Sequence, residues 1–456
     1  MLSMPVALAA VVLALPGPAA GRDSPDLDSL ITAAMSQYHI PAVSACVVKG
    51  EDVVWHGANG FARLADSVVN ADTTVFDLAS VSKTATAGAL MQLWERGVFG
   101  LDDDVSGYLP FPVRHPGYPD SAITFRMLLT HTSGIVDNWP VFERLLRQGD
   151  PDVPLRAFVE GYLVPGGDYY DSIANFASWP PGAQYRYCNL AIALAGYLVE
   201  ALADSFHHYT RDSLFLPLDM TRTVWYFADI DTNTMAMPYR YSGGAHIPYG
   251  HQSLPDVPAG TMKSSAPQLA RFLIAMLHYG RCGSARILDS TTVELMTTVQ
   301  HAAGIGLVWH QYRIGSRDVW CHGGAWNGIS TWIGFCRRDS SAAVVLANLG
   351  GVNGVIEGTI VPALFDYAGV AEPDARPAVF PGPAATIVRG VLFLPRGLTD
   401  SGPGESDRVP RPALLDATGR RVAALLPGAN DVSGLAPGVY FIRAGTARAA
   451  SKLVIP

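Results

Sequence analysis

Apolar and polar positions change their period several times along the chain. Ala42–Gly57 carries two short apolar runs, Ala42–Val48 and Val53–Trp55, which predict two strands joined across Lys49–Asp52. A polar knot, Leu78-Ala79-Ser80-Val81-Ser82-Lys83-Thr84, then opens a helical run that continues to Arg96. From Leu101 to Val299 the pattern is mainly helical, broken by Gly/Pro loops. Strand-like runs return at Gly306–His310, Asp318–His322, Ser330–Cys336 and Ala342–Asn348, and a helix is expected over Gly354–Tyr367. Strands near both ends of this region, with helices between them, predict an α+β fold: a sheet built from its two ends with a helical region inserted.

The ends of the chain read differently. Within Met1–Gly21, the apolar stretch Pro5–Leu15 is too short to span a bilayer and is followed by the small residues of Pro16–Gly21, which predicts a cleaved export signal (residues 1–21) and an exported, secreted, cell-surface or periplasmic protein. Residues 371–384 are Pro-rich and aperiodic, a linker between the main domain, 22–370, and a C-terminal stretch, 385–456. That stretch holds strand candidates at Thr386–Leu394, Ala413–Asp416, Arg421–Leu425, Gly438–Arg443 and Ser451–Ile455, which predict a small immunoglobulin-like β-sandwich.

Composition narrows the function classes. A length of 456 residues exceeds what one core usually serves, and 49% hydrophobic with 16% charged residues is globular. A net charge of −8 with no basic cluster argues against a nucleic-acid partner. The 12 histidines are scattered apart from His207-His208, there is no His-Glu-x-x-His, and the 5 cysteines form no Cys-x-x-Cys pair, so neither metal nor cofactor is expected. A hairpin turning at Gly328-Ile329 would set Cys321 opposite Cys336, within reach of a disulfide.

Candidate chemistry begins at Ser80. Lys83 follows one turn later on the same helix face, where burial could lower its pKa enough for it to take the serine proton. The positive end of the helix dipole beside Ser80 disfavours an ammonium and favours an oxyanion. An N-cap serine followed by a surface lysine satisfies the same spacing. Tyr187 and Asn189 sit in a loop running into a helix expected over Leu190–Leu202, and could offer a phenol and an amide to the same site. His322-Gly323-Gly324-Ala325 closes a strand; paired glycines allow close backbone approach and the Ala325 amide could serve an oxyanion.

Taken together, Ser80-x-x-Lys83, Tyr187-x-Asn189 and His322-x-Gly324 resemble the penicillin-recognising serine hydrolases: class C β-lactamases, serine D-Ala-D-Ala carboxypeptidases and their esterase and D-aminopeptidase relatives. Ile123–Gly134, Pro181-Gly182 and Gly304–Trp309 resemble that family too. The resemblance covers roughly Asp26–Ala368 and implies a β-lactamase/transpeptidase-like fold, an antiparallel sheet flanked by helices plus a helical lobe. It implies an acyl-enzyme on Ser80, base and acid roles shared by Lys83 and Tyr187, substrate contacts from Asn189, His322, Gly323 and Gly324, and an oxyanion hole from the Ser80 and Ala325 amides. Many β-lactamases carry Lys-Thr-Gly where this chain has His322-Gly323-Gly324. A histidine, mostly neutral at pH 7, lacks the permanent cation for an antibiotic's carboxylate. Small peptides, D-amino-acid derivatives, esters and peptidoglycan fragments are therefore the expected substrates, ahead of β-lactams. Residues 413–455 resemble the C-terminal sorting domains of the type IX secretion system, which implies secretion machinery as a partner. The competing class is a penicillin or peptidoglycan-fragment binder with a degenerate site. It predicts loss of Ser80, Lys83 or Tyr187, and all three are present. No Gly-x-Ser-x-Gly elbow occurs.

Overall fold

The computed structural model describes residues 26–370 throughout and, beyond them, 386–387, 391–394, 413–416, 420–424, 428–431, 435–436, 438–443 and 451–455. The expected export signal and linker lie outside the described residues. The chain divides into two compact units, Met1–Pro377 and Ala378–Pro456.

The first unit is built on a seven-stranded antiparallel sheet. Its strands are β1 (Ala42–Lys49), β2 (Asp52–Arg63), β3 (Val68–Val69), β4 (His310–Ile314), β5 (Arg317–Trp326), β6 (Ile329–Cys336) and β7 (Ser341–Ala347), in the order β4-β5-β6-β7-β1-β2-β3. β7 lies beside β1, pairing Val43 with Ala347 and Cys46 with Val344, and the Ala42 amide donates to Asn348 Oδ1 at 2.7 Å. Two ends of the unit, 300 residues apart in order, thus close one sheet, as the strand–helix–strand pattern predicts. The continuous apolar runs of β1, β6 and β7 follow from burial on both faces. Helices α1 (Leu27–Tyr38) and α5 (Val361–Val370) share one core with Val43, Ala45, Val345 and Ala347, while α4 (Ala266–Leu277) also packs against β1, β6 and β7.

A helical lobe is inserted between β3 and β4. Its centre is the pair α2 (Ser82–Glu95) and α3 (Asn189–Ala203), with Val257–Gly260 packed against both. Every residue of α2 from Ser82 to Leu93 is buried, so the helix has no solvent face to keep polar. Its few hydroxyls bond to backbone oxygens instead, Thr84 to Val81 and Thr86 to Pro258.

Two expectations are corrected. The run Gly306–His310 is not a strand; the sheet edge begins at His310. Val308 is left-handed (φ 72) and its amide donates to Leu129 O at 2.7 Å, while Gly306 N–H bonds to Trp309 O. This backbone docks on the helical lobe rather than on a neighbouring strand, while the buried Trp309 ring packs against Phe272 of α4 and Phe335 of β6. The disulfide is also absent: all five cysteines are free. The β5–β6 hairpin turns at Asn327-Gly328, with Gly328 at φ 74, so Cys321 pairs with Gly334 rather than Cys336. Of the two turn residues only Gly328 takes a positive φ, which a glycine adopts without steric cost, and a turn at this position moves the register by two residues from the one expected.

In the second unit, a five-stranded sheet runs in the order Thr386–Ile387, Ser451–Ile455, Gly438–Arg443, Ala413–Asp416, Arg421–Ala424. A separate pair joins Val391–Leu394 to Gly428–Asp431. The expected single strand Thr386–Leu394 is therefore two strands in different sheets.

Candidate active site

Ser80 occupies the middle of a 3-10 turn, Ala79–Val81, that leads into α2. Ala79 sits at φ 48, a left-handed conformation that costs about a kcal/mol or more for a residue with a Cβ and must be enforced from outside. The enforcement is visible in two grips on Leu78. Thr331 Oγ1 of β6 donates to its carbonyl at 2.7 Å, and its amide donates to Met262 O at 2.9 Å. Sheet and helical lobe therefore hold the serine turn between them.

Gly324 explains why that approach works. A Cβ there would lie 2.2 Å from Thr331 Oγ1, 2.3 Å from Leu78 O and 3.3 Å from the Ser80 nitrogen. Gly324→Ala is accordingly expected to lower turnover about tenfold by displacing the serine turn, with folding preserved. Kinetics together with a thermal melt check this, and unchanged turnover would show the contact to be slack.

Lys83 is fully buried and makes three hydrogen bonds. Its Nζ lies 3.0 Å from Ser80 Oγ, 2.7 Å from Asn189 Oδ1 and 2.6 Å from Ala259 O. The Asn189 amide cannot be turned over, because its Nδ2 donates to Asp137 Oδ2 at 2.8 Å and a carboxylate only accepts. Two of the three Lys83 partners are thus carbonyl oxygens. A neutral amine spends both hydrogens on them and turns its lone pair to the Ser80 hydroxyl. Burial lowers the Lys83 pKa to about 8, against the opposing pull of Asp256, Asp137 and Cys188.

Tyr187 lines both cavities together with Ser80, and its phenol is within hydrogen-bonding reach of the Ser80 side chain. Burial pushes the phenol well above its ordinary value, with the Ser80 bond opposing, so it stays protonated at neutral pH. Its ring is packed 4.5 Å from that of His131 and 5.0 Å from Lys83 Nζ. His131 Nδ1 accepts the Cys188 amide at 3.2 Å; burial, with lesser repulsion from Lys83, His322 and His310, keeps this histidine neutral.

Asp137 was not anticipated from the sequence. Its carboxylate accepts the Asn189 and Leu190 amides at 3.0 Å each, the Asn189 side chain, and the Cys188 thiol at 3.3 Å. It fixes the start of α3, and through Asn189 it fixes Lys83. Asp256 was likewise missed; burial raises its carboxyl well above the ordinary range, with Lys83 opposing. Neither aspartate lies in a spacing pattern with Ser80, so no local signal marked them. Asp137, three residues after Gly134 in the stretch Ile123–Gly134, was the nearest to a clue.

His322, Gly323, Gly324 and Ala325 lie on β5, and Ala325 faces the same space as Ser80. His322 Nδ1–H donates to Gly323 O at 2.7 Å, leaving Nε2 unprotonated and without a partner; burial, then His310 and Lys83, holds its pKa well below the usual value. Two cavities meet at Ser80, Tyr187 and Ala325. One, of about 340 Å³, extends past Asp137, Trp139, Asp256 and Trp326; the other, of about 610 Å³, extends past Tyr185, His310, Tyr312 and His322. The structure thus brings Ser80, Lys83, Tyr187, Asn189, His322, Gly323, Gly324 and Ala325 to one cleft, with the Asn189 side chain directed to Lys83 and Asp137.

Residues 27–358 match the family model described as Beta-lactamase. A penicillin-binding protein of Bacillus subtilis (strain 168) is 25% identical over 310 residues, 62% of this chain and 62% of its own. The chain thus spans less than two thirds of the length of that curated relative. Among solved structures, an octameric penicillin-binding protein homologue from Pyrococcus abyssi shares the fold with a TM-score of 0.60 at 21% identity, over 95% of this chain and 90% of that one. A D-amino acid amidase from Ochrobactrum anthropi SV3, complexed with L-phenylalanine amide, gives 0.61 at 20% identity, over 75% and 99%.

Proposed function

Because the chain belongs to the β-lactamase family, we propose that it is a serine hydrolase that works through an acyl-enzyme on Ser80. The observation that carries this is the Lys83 amine, 3.0 Å from Ser80 Oγ with its remaining bonds made to acceptors. In its neutral form Lys83 takes the Ser80 proton as Oγ attacks the substrate carbonyl carbon. The negative charge on the carbonyl oxygen is met by the Ser80 and Ala325 amides. Tyr187 gives its proton to the departing nitrogen or oxygen as the C–N or C–O bond breaks, and Lys83 returns a proton to the phenolate. Water then repeats the sequence on the ester, releasing the acid and restoring Ser80.

The substrates proposed are amides or esters of small peptides, D-amino-acid derivatives, peptidoglycan fragments and simple esters. Efficient β-lactam hydrolysis is disfavoured, since the neutral His322 offers no cation for the antibiotic's carboxylate. Export through an N-terminal signal and a C-terminal sorting domain belongs to the same proposal, supported by the apolar start of the chain and the pattern of residues 413–455.

Incubation with a fluorophosphonate or penicillin probe followed by peptide mass spectrometry is expected to place one adduct on Ser80. Absence of any adduct, with no turnover of short-chain esters, would replace the hydrolase with a binder carrying a degenerate site.

A further inference from the structure

The smaller cavity carries three carboxyls on its wall: Asp77, Asp137 and Asp256. Two are already answered. Asp77 lies 3.7 Å from the Lys263 ammonium, and Asp137 is spent on the start of α3 and on Asn189. Asp256 is different. It is only 5% exposed, lines the cavity together with Ser80, and among the described residues its carboxyl makes no ion pair and no hydrogen bond to another residue's side chain. The cation that acts on it most is Lys83, and that is the group which must be a neutral amine for the chemistry proposed above. In the working state Asp256 is therefore a buried carboxyl without a counter-ion, a costly arrangement that a ligand cation would relieve.

The rest of the wall suits an organic cation better than a bare ion. Trp139 and Trp326 stack at 6.0 Å on the cavity, alongside Val136, Leu254 and Ile329. Among the described residues Arg186 is the one Lys or Arg lining it, and it forms no ion pair with Asp256. Resting on the hydrolase proposal for its reaction but not for its binding chemistry, we infer that this cavity receives a substrate bearing a free ammonium group and a bulky apolar side chain, with the ammonium on Asp256. The substrate class is then an amino-acyl amide or ester with an unblocked amine, rather than an N-acylated peptide or a β-lactam with its carboxylate.

The full chain is tested in two ways, binding at pH 9, where Lys83 is the neutral amine and a primary alkylamine is still largely a cation, and turnover at pH 7. First, binding of 2-phenylethylamine is compared calorimetrically with that of 2-phenylethanol, on the native protein and on Asp256→Asn, whose fold is checked by circular dichroism. The amine is expected to bind roughly tenfold to a hundredfold more tightly, a preference lost in the variant. Second, kcat/KM is compared for the methyl esters of phenylalanine, both enantiomers, and of 3-phenylpropanoic acid. The amine-bearing ester is expected to lead by a similar factor in the native protein and by little in Asp256→Asn. Equal binding of amine and alcohol, no saturable binding of the amine, or an Asp256→Asn variant that slows both esters alike would overturn the inference. Amine-selective binding with no turnover of either ester would instead uphold it and sink the hydrolase.

Discussion

Lys83→Met is expected to lower turnover on the order of 10⁴-fold while the protein remains folded. Methionine matches the length of the lysine stem and suits a fully buried site, so the cavity is filled while the base is removed. The cost falls on Asn189 Oδ1 and Ala259 O, which lose a donor at about 1–3 kcal/mol each; removing a buried amine offsets part of this. The native rate profile supplies the diagnostic. Burial puts the Lys83 pKa at about 8, and the neutral amine is the active form, so the rate rises with pH through that value. Two units below the pKa, the active fraction and hence the rate fall roughly a hundredfold. The residual activity of Lys83→Met should lack this inflection. A native rate that instead declines as pH rises through 8 would mean that the ammonium is the active form, and the base would have to be sought elsewhere.

Tyr187→Phe is expected to slow turnover by about 10²-fold or more, mainly in kcat. The phenyl ring keeps the packing against His131, so the loss isolates the hydroxyl. Because burial holds the phenol protonated, its task is to donate, and the need for a donor depends on the leaving group. Alkyl esters and amides, which leave as strong bases, should suffer the full loss. A p-nitrophenyl ester, whose leaving group departs as a stable anion, should suffer much less. Equal losses on both would assign Tyr187 to positioning rather than proton transfer.

The main candidate side chains were legible because each lies in a short local pattern. Ser80 and Lys83 share a helix face by spacing alone, and Tyr187 and Asn189 sit where a Pro/Gly loop runs into an apolar helix. What spacing could not give is direction. Asn189 read as a substrate contact and lines the cavity beside Ser80, but spacing did not show that its oxygen is also fixed on Lys83 by Asp137, 52 residues away. Thr331 read as one of many strand residues, yet it grips Leu78 across 253 positions of sequence. Asp256 is ordinary in sequence, and becomes unusual only because the fold buries it beside a lysine.

By itself, then, the sequence determined the α+β plan, the continuous strands of a sheet covered on both faces and the Ser80 helix. These follow from periodicity and local backbone chemistry, which act over a few residues. The tertiary structure alone decided the β5–β6 register that keeps Cys321 and Cys336 apart, the docking of Gly306–Trp309 on the helical lobe, the lowered pKa of Lys83 and the unanswered carboxyl of Asp256. Those depend on desolvation and on partners brought from distant parts of the chain, and such terms exist only once the sheet has closed around the lobe.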